Sequence, residues 1–548
     1  MFDPRAVRRD FPILDSRVNG QPLVYFDNAA TTQKPEAVIR AVADYYRHGN
    51  ANVHRAAHAL SSLATAAFEQ ARESVAAFLG AASAREIVWT RGATEAINLV
   101  AQSWGRANLA SGDLILVSTL EHHANIVPWQ MLAQQSGARI EPIPLLDDGT
   151  LDEDAYRSLL RRSPKLVAIG HASNALGTIN PVVRMTREAQ DAGALVLVDG
   201  AQSAPHRAID VQALGCDFFV FSGHKLFGPT GIGALWAREA LLETMPPWQG
   251  GGEMIEHVSF DGTRYGGLPF RFEAGTPNIA GAIGLAAAIR YLGQFDRAEL
   301  EAHELRLLGY ALELCREIPG FRAVGAPPER VSLMSFQVDG LHQQDLGLLL
   351  DQYGIAVRAG HHCAMPLMQR LGLPGTLRAS FAFYNSLEEV EFFARTLARI
   401  VAEQRREATV TAPAAADPLA QLEQCRGWQE RYRQIMLLGK QLKPMPEAMR
   451  RDENRLHGCE SRVWFCAQVG PDGRFQLNLD ADSRVIRGLI ALVLGAFDGK
   501  TAQEILDSDL EASFQRLDLM RHLGPSRGNG LRAIVDAVRE AARHQKAL

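Results

Sequence analysis

The chain is poor in cysteine: six among 548 residues, at positions 216, 315, 363, 425, 459 and 466, with no CxxC pair. That scarcity excludes a disulfide-stapled scaffold and argues against a structural zinc site, so each cysteine is judged by its surroundings. Long apolar runs are also missing. Leu489 to Phe497, among the longest, falls far short of the roughly 20 residues a membrane span needs. A basic excess is absent: 57 Lys+Arg stand against 62 Asp+Glu, net −5, which is not the footprint of a nucleic-acid binder. The opening residues, MFDPRAVRRDFPILD, hold no uninterrupted apolar core, so no secretory signal is expected and a cytoplasmic location is the default.

What is present is an ordinary globular composition, 47% hydrophobic and 22% charged. At about 150 residues per domain the length suits three or four domains. One break stands out. Arg405 to Asp417 (RREATVTAPAAAD) has no apolar periodicity and separates a helix-like stretch, Leu387 to Glu403, from another starting near Pro418. It reads as a linker, residues 405–417, between a first module, residues 1–404, and a second, residues 418–548. Before the linker, apolar runs at 114–119, 165–173, 194–199 and 217–223 alternate with amphipathic stretches such as Glu95 to Trp104 and Met185 to Ala192. Continuous apolarity bounded by turns suits strands covered on both faces. The expected class is therefore α/β, a mainly parallel sheet with crossover helices. The large domain is expected over about 21–294, and residues 1–20 with 295–404 form a smaller α+β lobe. The second module reads as a small α+β domain with an early helix, Leu419 to Leu438, and a strand over Ser461 to Val469.

Chemistry concentrates in the first module. The run Val196-Leu197-Val198-Asp199-Gly200-Ala201-Gln202 ends a buried strand on a carboxylate, at the sheet edge where α/β proteins bind ligands. A second apolar strand then leads into Ser222-Gly223-His224-Lys225. A carboxylate and a lysine on adjacent strand ends suit pyridoxal phosphate, whose ring nitrogen needs an acid and whose aldehyde needs an amine. Taken singly, each reads as a strand-end cap or an exposed lysine. Arg91-Gly92-Ala93-Thr94-Glu95 opens a helix whose free amides attract phosphate, though Thr94 alone reads equally as an N-cap.

Together VDGAQ, SGHKLFGPTG, RGATE, EHHANIVPW and RFEAGTPN resemble the fold-type I pyridoxal-phosphate enzymes, specifically the cysteine desulfurases, over roughly residues 8–403. RAGHHCAMPLM (358–368) resembles the SufS-type branch. The resemblance implies that Lys225 is the Schiff-base lysine, that Asp199 pairs with the pyridinium nitrogen and that Gln202 contacts the phenolic oxygen. Ser222, His224 and Thr94 would hold the phosphate. Thr276 would reach it from the neighbouring subunit, making a homodimer the functional unit. His122 would stack on the ring and help move protons. Asn174 and Arg378 would position and bind the substrate carboxylate with Arg358 close by, a guanidinium fork being strong and directional.

The resemblance makes Cys363 the persulfide carrier. Positive charge near His361-His362-Cys363 would raise its thiolate fraction, and only the thiolate attacks well. A buried inert cysteine or an HHC metal cluster are the alternatives that the cofactor motifs disfavour, so no metal is expected. Cys216 and Cys315, in apolar surroundings, read as core. His54, His58 and His123 read as cleft or structural residues alike, and Gly250 to Gly252 as a mobile loop or a flexible spacer.

In the second module His457-Gly458-Cys459-Glu460-Ser461-Arg462-Val463-Trp464 resembles the SufE family of sulfur acceptors, as do Gly488 to Val493 and Leu523 to Leu531. The resemblance implies that Cys459 receives sulfur from Cys363. Cys466 is the rival, and its strand setting reads as packed inward, while Cys425 reads as structural. A 13-residue linker spans ~20 Å on average, which supplies millimolar effective concentrations. The implied whole is a fused desulfurase and acceptor that turns L-cysteine into L-alanine and passes sulfur to a downstream iron–sulfur scaffold. Selenocysteine lyase, cysteine sulfinate desulfinase, or a docking or regulatory C-terminal module are the alternatives.

Overall fold

The computed structural model describes residues 2–55, 57–408, 417–456 and 461–547. The chain divides into two compact units, residues 1–337 with 353–397 and residues 338–352 with 398–548.

The first unit is built on a seven-stranded sheet: β1 (Ile87–Thr90), β2 (Leu114–Ser118), β3 (Arg139–Ile143), β4 (Leu166–Gly170), β5 (Leu195–Asp199), β6 (Phe218–Ser222) and β7 (Gly233–Ala237). Its order is β1-β7-β6-β5-β4-β2-β3. Strands β2 to β6 pair in parallel, and β7 runs antiparallel between β6 and β1. The four apolar runs of the sequence become β2, β4, β5 and β6. Their continuous apolarity has a direct cause, because alternate residues feed two different cores. Leu114, Leu116, Val196 and Val198 enter one; Ile115, Val117 and Leu197 enter the other.

Crossover helices cover both faces, including α1 (Ala59–Leu79), α2 (Ala93–Val100) and α3 (Val182–Asp191). The expected stretch 95–104 is realised as α2 followed by a π-helical turn, Ala101–Gly105. A second sheet in this unit has strands β8 (Phe321–Val324), β9 (Leu333–Val338), β10 (Arg358–Gly360) and β11 (Thr376–Ser380), in the order β8-β9-β11-β10. Cys216 and Cys315 are fully buried, and burial pushes both thiols up to about 12, so neither offers a reactive thiolate.

In the second unit the early helical stretch divides into Pro418–Glu423 and Trp428–Gln441, interrupted at Gly427, whose extended backbone caps the second helix. An antiparallel sheet follows, with strands β12 (Arg455–Leu456), β13 (Val463–Val469) and β14 (Phe475–Ala481). Helix Arg484–Phe497 crosses Trp428–Gln441 closely: a Cβ on Gly488 would meet the Ile435 carbonyl oxygen at 2.0 Å. The Gly488 motif is thus a packing requirement of two helices in contact. Cys466, expected to pack inward, is half-buried on β13 opposite Asn478. Cys425 is half-buried too, with Sγ donating to the Gln421 carbonyl.

Residues 405–408 complete the helix Leu387–Ala408, and Asp417 caps the next helix through its carboxylate. The remainder of the expected linker, 409–416, and the Cys459 motif at 457–460 lie outside the described residues. Among the described residues no helix is long and apolar enough to cross a membrane, and no cluster of His, Cys, Asp and Glu could hold a metal.

Candidate active site

The carboxyl ends of β2, β4, β5 and β6 open into a cavity of about 280 Å³. It is lined by eleven of the thirteen site candidates of the sequence: Thr94, His122, Asn174, Asp199, Gln202, Ser222, His224, Lys225, Arg358, Cys363 and Arg378. This is the position expected for ligands of open α/β sheets.

Asp199 ends β5, buried, with Oδ1 accepting from the Ala201 amide at 2.9 Å. Burial raises its carboxyl pKa, while that amide and the Lys225 charge oppose the shift. Lys225 follows β6 in a short 3-10 turn, Gly223–Lys225. Burial pushes its ammonium down to about 8 against the attraction of Asp199, so it exchanges protons near neutrality. The ends of β6 and α2 are drawn together by Ser222, whose Oγ accepts from the Ala93 amide at 2.9 Å. Gly92 holds φ at +153°, and a Cβ there would lie 3.0 Å from that hydroxyl. The approach leaves the helix start, Thr94 and His224 around one concavity suited to a phosphate. An acid, an amine and an anion cradle in one cavity fit pyridoxal phosphate. Asp199 would hold its ring nitrogen, Lys225 its aldehyde carbon and the α2 start its phosphate.

His122 follows β2. Its Nδ1 accepts from the Ala124 amide at 3.0 Å, which leaves the proton on Nε2. Burial and the Lys225 charge push it down to about 3, so the ring is neutral. Glu121, also on the cavity wall, carries no assignment in the sequence reading. Its buried carboxylate accepts from the Gly170 amide and from Asn125, both at 2.7 Å, and from the Ser118 hydroxyl, tying β2 to β4 beneath His122. Burial pushes it up to about 7.

Cys363 is exposed at the cavity wall. His362 and Cys363 both take φ of +54°, a left-handed pair that side chains adopt only when the surroundings impose it. Four contacts impose it. The His123 amide donates to the Cys363 carbonyl at 2.7 Å, and His123 Nε2 accepts from the Met365 amide at 3.0 Å. The Cys363 amide donates to His361 Nδ1 at 3.0 Å, and Asn174 Nδ2 donates to the His362 carbonyl at 2.6 Å. His123 therefore anchors the cysteine turn. The expected role of His362 as a source of positive charge needs correction: burial holds it well below its ordinary pKa, neutral, against Thr376. The cations that interact with Cys363 are Lys225, Arg358 and Arg378.

Arg358 on β10 stands directly across from Arg378 on β11. Arg378 is buried, donates from Nη1 to the Asn174 carbonyl at 2.7 Å, and keeps an unpaired Nε. Burial pushes it down to about 10. Asp27 binds both guanidiniums. It belongs to a segment, 27–34, in which the sequence reading placed no site residue. There the Ala29 carbonyl accepts from Gln202 at 2.6 Å. The hydroxyls of Thr31 and Thr32 and Lys34 Nζ all donate to the His224 carbonyl, the lysine at 2.7 Å. The signal was in the sequence as two polar residues and a lysine beside small ones, but only the fold shows that they clamp the Lys225 turn.

Burial pushes Lys34 down to about 7 from an ordinary 10.5. Between those values the unfolded chain binds more protons, so stability rises with pH across that window. Lys34→Met is expected to flatten this rise, as read from thermal midpoints of the wild type and variant between pH 7 and 10.5.

Two candidates do not join the cavity. Thr276 is exposed and off its wall, and Cys459 lies outside the described residues. Of the uncommitted histidines, His54 bridges Glu69 and Glu253, and His58 caps α1 by accepting from the Ser61 amide. Neither lines the cavity. Gly250 to Gly252 form an exposed bend.

The aminotransferase class-V family model matches residues 24–393, and the SufE model, an Fe-S metabolism associated domain, matches residues 416–542. A probable cysteine desulfurase of Vibrio cholerae is 55% identical over 391 residues, covering 71% of this chain and 96% of that protein. A cysteine desulfurase of Klebsiella pneumoniae is 54% identical over 400 residues, covering 73% of this chain and 98% of that one. Among solved structures, the Escherichia coli cysteine desulfurase CsdA, in an S-sulfonic acid form, superposes with a TM-score of 0.69 at 44% identity, covering 74% of this chain and 99% of that one. The chain belongs to the class-V aminotransferases and, within them, to the pyridoxal phosphate-dependent cysteine desulfurases, with a SufE domain at its C-terminal end.

Proposed function

We propose that this enzyme converts L-cysteine to L-alanine, holds the sulfur as a persulfide on Cys363 and passes it to Cys459 of its own SufE domain for iron–sulfur cluster assembly. The observation that carries the reading is the shared cavity, in which an exposed cysteine stands with Lys225, Asp199, neutral His122 and the arginine pair. When bound, pyridoxal phosphate supplies the electron sink that weakens bonds at the amino acid's α- and β-carbons. Arg378 holds the substrate carboxylate through its free Nε, and Asn174 fixes both Arg378 and the cysteine turn. Lys225, poised near neutrality, takes and returns the α-proton. His122, neutral with its proton on Nε2, donates a hydrogen bond into the cavity. The Cys363 sulfur attacks the sulfur of bound cysteine. The S–S bond forms as the C–S bond breaks, and the carbon takes a proton to leave as alanine.

The functional unit in this proposal is a cytoplasmic homodimer, which gives exposed Thr276 a role at the partner's phosphate cradle. A SufE domain joined to the same chain favours sulfur transfer over a purely regulatory module, because its motif retains a cysteine at 459. One experiment tests the sequence of carriers. After a single turnover with sulfur-labelled L-cysteine, alkylation and peptide mapping are expected to find label on Cys363 first and on Cys459 later. In Cys459→Ser the label stays on Cys363, and a small thiol restores turnover. Label on Cys466, or none on Cys363, overturns the assignment.

A further inference from the structure

Trp129, on the helix Val127–Ser136, is fully buried, and its indole nitrogen can only donate. It donates to Asn125 Oδ1 at 3.0 Å, which turns the Asn125 amide so that Nδ2 donates to Glu121 Oε2 at 2.7 Å. The other carboxylate oxygen is approached from two sides. The Gly170 amide at the end of β4 donates to Oε1 at 2.7 Å. So does the Ser118 hydroxyl at the end of β2, whose own oxygen accepts from the Leu120 amide at 3.2 Å. Each of the three groups bonded to the Glu121 carboxylate is thus a donor, and the whole chain is buried. Glu121 and Asn125 bracket the turn that carries His122 and His123. His122 lines the cavity, and His123 reaches the cysteine turn: its amide donates to the Cys363 carbonyl at 2.7 Å and its Nε2 accepts from the Met365 amide at 3.0 Å.

We propose that Glu121 positions both histidines, setting His122 in the cavity and, through His123, the turn that presents Cys363, because only a group that accepts at both oxygens completes this chain. Its effect on turnover rests on the desulfurase reading. Glu121 acts through the turn and is a positioning residue. Glutamine has nearly the same shape but cannot take its place. With its oxygen towards Gly170 and Ser118, its amide meets Asn125 Nδ2, another donor; turned over, it meets the Gly170 amide. A buried pair of opposed donors remains in either case. Asn125→Asp on its own creates the converse fault, two acceptors facing each other. Combined, Glu121→Gln and Asn125→Asp set a donor against an acceptor at every contact, since the new amide donates to the new carboxylate, which still accepts from Trp129.

The test is a double-variant cycle on the cofactor-loaded full chain: Glu121→Gln, Asn125→Asp and the two combined. Each single change is expected to lower kcat for alanine formation from L-cysteine about tenfold or more, with KM within about threefold of wild type. The combined change is expected to return kcat to within about threefold of wild type, a recovery that two independent defects cannot give. Amide hydrogen exchange supplies a reading that needs no turnover. The His123 and Met365 amides are expected to exchange about tenfold faster in each single variant and to regain protection in the double, while β5 (Leu195–Asp199) exchanges as in wild type throughout. A double variant that stays more than about threefold below wild type, or exchange in Glu121→Gln within about twofold of wild type, overturns the proposal. Should a single variant fail to fold, the double variant decides: recovered folding and turnover support the proposal, and an unfolded or slow double variant overturns it. Wild type inactive on L-cysteine would instead sink the desulfurase reading, while the exchange pattern still reads the role of Glu121.

Discussion

Cys363→Ser is expected to lower alanine formation from L-cysteine by on the order of 10³-fold or more, the scale seen when a nucleophile is removed. The bound cofactor's absorbance should stay as in the wild type. Serine keeps the size of the side chain, and the turn that presents it is held by backbone contacts to His123, His361 and Asn174, none of which uses the sulfur. What is lost is the nucleophile. Cys216 and Cys315 are buried with raised pKa values, and neither lines the cavity. A hydroxyl does not replace the thiol, because its intrinsic acidity is far lower. Alanine release measured by amino-acid analysis, with persulfide trapped by alkylation, checks this. Alanine at the wild-type rate would show that another group accepts the sulfur.

Lys225→Ala is expected to abolish the borohydride-stable attachment of the cofactor to the chain and to reduce turnover by at least ~10²–10⁴-fold, the range of general acid–base catalysis alone. The lysine lies at the end of a buried strand beside a buried carboxylate, and burial lowers its pKa to about 8, so it exchanges protons more readily near neutrality than an ordinary lysine. Alanine offers neither amine nor proton. Lys34 also contacts the His224 carbonyl but does not line the cavity, so it is not expected to substitute. Mass spectrometry after borohydride reduction reads the attachment, and single-turnover kinetics read the proton transfer. An attachment that persists at another lysine would displace Lys225 from the proposal.

Much was legible from residue order because local chemistry settles it. The runs at 114–119, 165–173, 194–199 and 217–223 suited doubly covered strands, and in the structure their alternate residues enter separate cores. Their ends carry Asp199 and Lys225, so the meeting of a carboxylate and a lysine at one sheet edge followed from strand order. The early helix of the second unit was less legible. Its apolar pattern continues through the interruption at Gly427, where the backbone is extended.

What the residues by themselves determined, then, was a doubly covered sheet with a carboxylate and a lysine at its edge, and a cysteine set apart by its neighbours. The tertiary structure decided what surrounds them. Asp27 meets Arg358 and Arg378 from more than 300 positions away, with sequence separations of 331 and 351. His123 reaches Met365 across a separation of 242, and Thr31, Thr32 and Lys34 reach His224 across about 190. No local periodicity encodes such meetings. They arise because the sheet, once closed over its two cores, leaves one edge where distant loops must satisfy each other's charges and hydrogen bonds.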